Sequence, residues 1–535
     1  MEQVCVEKTA SRGIAVSKVY RYMEPDWTPS THLLAEGETA REQAKFLDAK
    51  EAVMNELAEL SSENAIFGAH MEIAGDFMLQ ESVMAKIAGE KKNVQLAVHE
   101  VIEEFAEIFA SMDDAYMKER GADVRDIGKR LLAKLKGIRR PDLGNITEEV
   151  IVVAKDMYPS DTVKLSPEKV KGIITQEGGV TSHVSIIAKS MNIPTLVGVK
   201  GILDKVEDGM IVCMDAEAGV IILDPDEEVL DRYQAKRKAY EEERVRLEKL
   251  REIPAVTKDG KRIFLCANVG NVEDIRKALP MNIDGVGLFR SELLYMENDH
   301  FPTEEEQFQV YKEAAQLCPQ ELTIRTLDIG GDKELSYFDF DKEDNPFLGW
   351  RAIRISLDMK VMFKEQLRAI LRASAFGHVR IMFPMIISLE ELREAKAIVE
   401  ECKKELAKEG IDYDENIQLG MMMETPASVL LAEEFAREAD FFSIGTNDLT
   451  QYLLAVDRGN KKIADRYSYF HPAVVSAIGH IIRAGHREGI KVGMCGEMAG
   501  DDKAVSLLLE LGLDEFSMSA GSMDYVREKI LGCNK

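Results

Sequence analysis

The sequence predicts a multidomain α/β protein: an α/β domain carrying an inserted helical bundle, a long linker helix, and a C-terminal (β/α)8 TIM barrel. Three observations predict it. A chain of 535 residues is too long for one core and calls for about three domains. Apolar β-type segments before residue 22 and again from Val150 flank a stretch, about 32 to 140, whose apolar residues recur at helical spacing. After residue 255, short apolar runs alternate with amphipathic stretches to the end.

Element by element, Gly13-Ile-Ala-Val-Ser-Lys-Val-Tyr alternates and is bounded by glycine, the pattern of a strand. Ala40 through Leu60 and Val94 through Met112 carry the helical period with few breakers, so a bundle of about four helices is expected over 31–140. Strand patterns return at Val150-Ile-Val-Val-Ala, Gly172-Ile-Ile-Thr, Thr195-Leu-Val-Gly and Met210-Ile-Val-Cys-Met-Asp. Residues 1–30 and 141–225 therefore read as one α/β domain into which the bundle is inserted. Residues 226–252 are strongly charged and contain no Gly or Pro, which predicts a solvated connecting helix ended by Pro254. Within 255–535 the candidate strands are 263–269, 285–289, 322–328, 381–385, 418–424, 441–445, 491–495 and 515–519.

Bulk properties narrow the partners. A formal charge of −27 excludes nucleic acid and an anionic membrane as natural partners. No signal peptide is expected from Met1-Glu-Gln-Val-Cys-Val-Glu, and no apolar run is long enough to span a bilayer. Seven scattered cysteines without a C-x-x-C pair predict reduced thiols, a cytoplasmic location and no zinc site.

Residues 178–190, Gly-Gly-Val-Thr-Ser-His-Val-Ser-Ile-Ile-Ala-Lys-Ser, place His183 where a glycine turn becomes a helix expected to begin near Ser182. The positive end of that helix favours a neutral, nucleophilic imidazole and an anion beside it. Taken alone, the hexad also admits the reading of a capping histidine with no chemistry. In the barrel, functional residues belong at the C-terminal ends of strands. The candidate strands do end in Arg290-Ser-Glu292, Arg325-Thr-Leu-Asp328, Glu424-Thr-Pro, Thr446-Asn447-Asp448 and Cys495-Gly-Glu497. Glu424 and Asp448 supply hard oxygen ligands suited to Mg²⁺, and Mn²⁺ suits the same pair. Arg290, Arg325, Arg351 and Arg458 are suited to phosphate and carboxylate, and Cys495 to handing a proton to carbon. A metal beside several arginines implies a small polyanion and phosphoryl transfer.

Together these segments resemble the Enzyme I family of the bacterial phosphoenolpyruvate:sugar phosphotransferase system, the phosphoenolpyruvate–protein phosphotransferases. The matching stretches are Gly178-Gly-Val-Thr-Ser-His183, Gly287-Leu-Phe-Arg290-Ser-Glu, Arg325-Thr-Leu-Asp-Ile-Gly-Gly-Asp-Lys333, Asn345-Pro-Phe-Leu-Gly-Trp-Arg351, Gly420-Met-Met-Met-Glu424-Thr-Pro, Ser443-Ile-Gly-Thr-Asn447-Asp448 and Gly493-Met-Cys495-Gly-Glu. They run in order over nearly the whole chain. The resemblance implies a swivelling phosphohistidine domain in which His183 takes the phosphoryl group of phosphoenolpyruvate through Nε2, oriented by Thr162. It implies that Arg290, Arg325, Lys333, Arg351, Asn447 and Arg458 hold the substrate, that Glu424 and Asp448 carry Mg²⁺, and that Cys495 protonates the enolate to pyruvate. It also implies that the helical insert docks the histidine phosphocarrier protein HPr, around Phe67, His70 and Met78. The linker helix would carry the swivel, and the barrel would form a homodimer. Two other functions share parts of this pattern. A pyruvate phosphate dikinase or phosphoenolpyruvate synthase would need a nucleotide-grasping domain, for which 31–140 shows no glycine-rich phosphate loop. A signalling scaffold would not need the set of His183, Glu424, Asp448, Arg458 and Cys495.

Overall fold

The computed structural model describes the chain apart from residues 1, 7, 24, 62–65, 112–114, 139–142, 158, 163–164, 180–182, 192, 331–332, 334, 336, 339, 461 and 534–535, and at His183 it describes the backbone alone. The chain folds as two compact units, Met1–Glu243 and Arg244–Lys535.

The first unit is built on strands β1 (Glu2–Cys5), β2 (Thr9–Ser11), β3 (Ile14–Tyr22), β4 (Val150–Ala154), β5 (Val170–Thr175), β6 (Thr195–Leu196), β7 (Ile211–Asp215) and β8 (Val220–Leu223). They form one sheet in the order β1-β8-β7-β3-β4-β5-β6-β2. β3 to β6 run parallel, while β7, β8, β1 and β2 add antiparallel edges. β4 shows why the sheet is covered on both faces. Ile151 and Val153 enter one apolar cluster, and Val150, Val152 and Ala154 enter another. That is the continuous apolar run expected of a strand buried on both sides.

Between β3 and β4 lie helices α1 (Thr39–Ser61), α2 (Ile66–Gly75), α3 (Phe77–Gly89), α4 (Val94–Ser111) and α5 (Ala115–Lys136), which enclose a core of their own that includes Phe46, Val53, Leu57, Val83, Ile87, Val101 and Ile127. Among the described residues the bundle shows five helices, against the expectation of about four. The extra break falls at Gly75-Asp76, because the Asp76 carboxylate accepts the Leu79 N–H at 2.8 Å and starts a new helix. Short helix α6 (Pro159–Thr162) packs against α7 (His183–Ser190). The connecting helix α8 spans Glu227–Leu250. Its first turns pack Val229 and Tyr233 beside Ile14, Val16, Cys213 and Ile222 of the sheet, and Lys236 pairs with Asp215.

The second unit is a closed, all-parallel barrel of β9 (Phe264–Val269), β10 (Gly285–Arg290), β11 (Glu321–Arg325), β12 (His378–Phe383), β13 (Gln418–Met423), β14 (Phe441–Ile444), β15 (Lys491–Met494) and β16 (Glu515–Met518). β11 ends at Arg325 rather than 328, because the Leu327 N–H is taken by the Gln366 side chain instead of a neighbouring strand. β12 begins at His378 rather than 381, since pairing with β11 already starts at Glu321↔His378. Inside the barrel, two glycines make room for large inward groups. A Cβ on Gly420 would lie 2.5 Å from the Phe441 ring, and one on Gly287 would lie 2.5 Å from Ser517 Oγ. Deeper in, Arg380 bonds Thr323 Oγ1 and pairs with Glu321 and Glu515, and Lys491 pairs with the same two carboxylates. This charged layer is internally paired, as burial demands.

Candidate active site

In the first unit the backbone of Gly178 is left-handed, φ 96°, so the chain can turn sharply just ahead of α7. α7 opens on His183, and the stretch Val180-Thr181-Ser182, with the helix start expected at Ser182, lies outside the described residues. Ser185 Oγ donates to the Gly179 carbonyl at 2.7 Å, tying the helix's first turn back to the turn before it. Thr162, the last residue of α6, is fully buried.

The second unit gathers its charged residues at one end. Arg290 closes β10 and Arg325 closes β11, while Glu424, Asp448 and Cys495 follow β13, β14 and β15. Glu292 Oε1 receives both Arg325 Nη2 and Lys333 Nζ, the latter at 2.9 Å. Asp328 Oδ2 receives Arg325 Nη1 at 2.9 Å and Lys333 Nζ at 3.1 Å, and its Oδ1 receives Arg351 Nη2 at 2.8 Å. Arg351 also approaches Asp448 Oδ2 at 3.3 Å and donates to the Tyr452 hydroxyl at 3.2 Å. Arg458 Nη1 lies 3.4 Å from Asp448 Oδ1. Asn447 Oδ1 accepts the Glu497 N–H at 3.0 Å, joining the loops after β14 and β15.

Burial and charge set the protonation states. Burial alone would raise the pKa of Asp328, yet Arg325, Lys333 and Arg351 outweigh it and hold the carboxyl well below the usual range. Glu292 is lowered in the same way, with Arg325 and Lys333 overcoming burial. Glu424 goes the other way: burial, then the neighbouring Asp448 and Asp328 carboxylates, push it up to about 8. The Cys495 thiol is pushed up to about 11 by burial, against the pull of Ser443, Arg325 and Arg290. It is a protonated acid at neutral pH.

Two strained residues flank this cluster. Ala352, buried beside Arg351, has φ 53° and ψ −126°. Met385 has φ 58°, and its N–H donates to Glu424 Oε1 at 2.7 Å. Such conformations cost of order 1–3 kcal/mol each and persist where the surroundings over-determine them. Here they aim Arg351 and fix one oxygen of Glu424.

The residues fit a divalent cation. Glu424 and Asp448 are both buried, Asp448 Oδ1 is buried without a hydrogen bond, and burial followed by the neighbouring carboxylates raises Glu424, a cost that a bound cation would relieve. Among the described residues no group of three or more His, Cys, Asp or Glu is arranged around one point. Two protein carboxylates, with waters and substrate oxygens completing the shell, is the Mg²⁺ pattern.

The strand-end candidates are therefore brought together in the barrel, whereas His183 and Thr162 stand in the first unit. Sequence reasoning left Glu292, Asp328 and Tyr452 out of the site. The first two close the very segments that supplied Arg290 and Arg325, a usable signal. Tyr452 closes the stretch Ser443-Ile-Gly-Thr-Asn447-Asp448-Leu-Thr-Gln-Tyr, but its contact with Arg351, between the helix after β14 and the loop after β11, is not written in any local pattern. Phe67 and His70, expected on a docking surface, are buried in the insert instead. Phe67 enters its core, and His70 lies between Asp123 and Asp126.

Three family descriptions match: "PEP-utilising enzyme, N-terminal" over residues 8–120, "PEP-utilising enzyme, mobile domain" over 146–219, and "PEP-utilising enzyme, PEP-binding domain" over 244–534. A phosphoenolpyruvate-protein phosphotransferase of Bacillus sp. (strain S) is 46% identical over 522 residues, covering 96% of this chain and 90% of the relative. The protein of that name from Geobacillus stearothermophilus is 47% identical over the same shares. The one from Staphylococcus aureus (strain Mu50 / ATCC 700699) is 45% identical, covering 98% of this chain and 94% of the relative. The chain belongs to the phosphoenolpyruvate-protein phosphotransferases.

Proposed function

We propose that this enzyme moves the phosphoryl group of phosphoenolpyruvate to His183 and then to a histidine of the phosphocarrier HPr, releasing pyruvate. In the first step a bond forms from His183 Nε2 to phosphorus and the phosphorus–enol oxygen bond breaks. The enolate left behind takes a proton at carbon from the Cys495 thiol, and the thiolate regains one from water. In the second step the nitrogen–phosphorus bond of His183 breaks as the one to the carrier's histidine forms. Mg²⁺, held by Glu424 and Asp448 when bound, neutralises charge on the phosphate and carboxylate oxygens. Arg290, Arg325, Lys333, Arg351 and Arg458 provide the remaining positive charge, with Asn447 as a neutral phosphate contact.

One observation carries this reading: four cationic side chains and a protonated buried thiol converge with the buried carboxyls of Glu424 and Asp448 at one barrel end. The insert supports a protein partner, since Phe77 and Met78 are 68% and 62% exposed at the start of α3. A homodimer through the barrel is supported by exposed Leu348, Val361 and Leu430, all in segments following β11 or β13. A cytoplasmic location is supported by cysteines that are all unpaired. Among the described residues no helix is long and apolar enough to cross a membrane.

Radiolabel transfer from phosphoenolpyruvate tests the proposal. The wild type should take label and pass it to HPr. His183→Ala should take none, and Cys495→Ala should be labelled by phospho-HPr in reverse while making pyruvate poorly. Label on any residue other than His183 would overturn it.

A further inference from the structure

Behind the charged site, a chain of neutral polar groups crosses the barrel wall. Gln366 lies on the helix Lys360–Ser374, outside the strands. Its Oε1 accepts the Leu327 N–H at 2.9 Å, and its Nε2 donates to Ser291 Oγ at 3.0 Å and to the Tyr311 hydroxyl at 3.4 Å. Ser291 Oγ in turn donates to the Arg325 carbonyl at 2.7 Å. The Tyr311 and Tyr295 hydroxyls both donate to Gln307 Oε1, at 3.1 and 3.2 Å, and Gln307 Nε2 donates to the Pro302 carbonyl at 2.8 Å. Ser291, Tyr295, Gln307, Tyr311 and Gln366 are all fully buried.

This network has one self-consistent arrangement. Leu327 offers a donor, so it needs the oxygen of the Gln366 amide. That leaves the two amide hydrogens for Ser291 and Tyr311, each of which passes a hydroxyl hydrogen onward. Fully satisfied buried networks of this kind are rigid, whereas an apolar side chain of the same volume would fill the space without fixing the backbone. What is fixed matters. Ser291 stands between Arg290 and Glu292, and Leu327 stands between Arg325 and Asp328. Gln366 thus touches the ends of both β10 and β11, whose side chains must meet for Glu292 and Asp328 to grip Arg325.

We infer that Gln366 is a positioning residue for the anion site: its amide sets the spacing of the β10 and β11 ends, and through it the placement of Arg290 and Arg325 against phosphoenolpyruvate. This rests on the phosphoenolpyruvate reading above.

The test uses the full chain with Gln366→Met, which keeps volume but removes the amide, and Gln366→Glu, which keeps an acceptor for Leu327. Each is assayed with phosphoenolpyruvate, Mg²⁺ and HPr, and each is also labelled in reverse from phospho-HPr, a reaction of His183 that does not call on the barrel. Gln366→Met is expected to raise the KM for phosphoenolpyruvate about tenfold or more with kcat little changed, the scale of a displaced binding group. Reverse labelling should stay at the wild-type rate. Gln366→Glu should recover most of the KM near pH 6, where a protonated carboxyl still donates to Ser291, and lose it near pH 8.5. A KM within about twofold of wild type in Gln366→Met, at the precision needed to resolve a tenfold change, overturns the inference. Should Gln366→Met fail to fold, a ratio of the Gln366→Glu KM to the wild-type KM that is the same at pH 6 and pH 8.5 overturns it equally. Those results leave the parent reading standing, whereas a wild type that takes no label from phosphoenolpyruvate overturns both.

Discussion

Glu424 and Cys495 are the two residues whose environments most change their chemistry, and each has a measurable consequence. The Glu424 carboxyl titrates near its ordinary value in the unfolded chain but at about 8 when folded, burial being the first cause. A folded pKa raised above the unfolded one gives stability that is full below the unfolded value and lost as pH climbs through the folded one. The metal-free protein should therefore melt at lower temperature at pH 8.5 than at pH 6. Mg²⁺ binds the ionised form, so it should raise the melting temperature more at pH 8.5 than at pH 6. Both differences should shrink in Glu424→Gln, and thermal melts across that range, with and without Mg²⁺, check the pair. Cys495 is raised by the same first cause, which makes the thiol a weaker acid and keeps its proton in place at neutral pH. It should resist alkylation at pH 7.5 in the folded protein. Cys495→Ala should lower pyruvate formation by about 10²-fold, the usual worth of a positioned general acid. Quantifying pyruvate under single-turnover conditions measures this.

At the scale of elements, what was legible in the sequence is what depends on local pattern. The eight strands of the barrel were found because each is a short apolar run, the pattern that burial on both faces forces, and five of them lead into a charged or reactive residue. The ends were less legible: β11 stops at Arg325 because of Gln366, 41 or so residues of chain away by way of a helix, and no periodicity records such a contact. The same is true of Tyr452 on Arg351. In the insert the helical period was legible at Ala40–Leu60 and Val94–Met112, whereas the break between α2 and α3 rests on one capping hydrogen bond from Asp76, which periodicity does not record. That bond can be tested. Asp76→Ala should destabilise the insert by about 1 kcal/mol, the common cost of losing an N-cap. It should also loosen the first turn of α3, where Phe77 and Met78 are exposed. Transfer to HPr should then show a raised KM for the carrier while labelling of His183 by phosphoenolpyruvate is unchanged, a split read from steady-state kinetics with each partner varied in turn.

At the scale of the whole molecule, the apolar clusters divide with the chain. Those of the sheet and the insert are drawn from the first unit, and the large barrel cluster, with its two satellites, from the second. Separate cores unfold as separate cooperative blocks, so a single two-state transition is the wrong expectation for this chain. Calorimetry should resolve two endotherms. All the residues assigned to phosphoenolpyruvate and Mg²⁺ lie in the second unit, and a ligand stabilises only the block that binds it, by about 2.7 kcal/mol at a hundredfold excess over Kd. In His183→Ala, where no phosphoryl group can be taken up, phosphoenolpyruvate with Mg²⁺ should raise one transition and leave the other in place. The shifted one should be that altered by Glu424→Gln, not that altered by Asp76→Ala. Movement of the second block alone would tie recognition of the substrate to the barrel without reference to turnover. A shift of the Asp76-sensitive transition instead would place the substrate's main contacts in the histidine-bearing unit and remove the basis for dividing the labour between metal-assisted binding and phosphoryl relay.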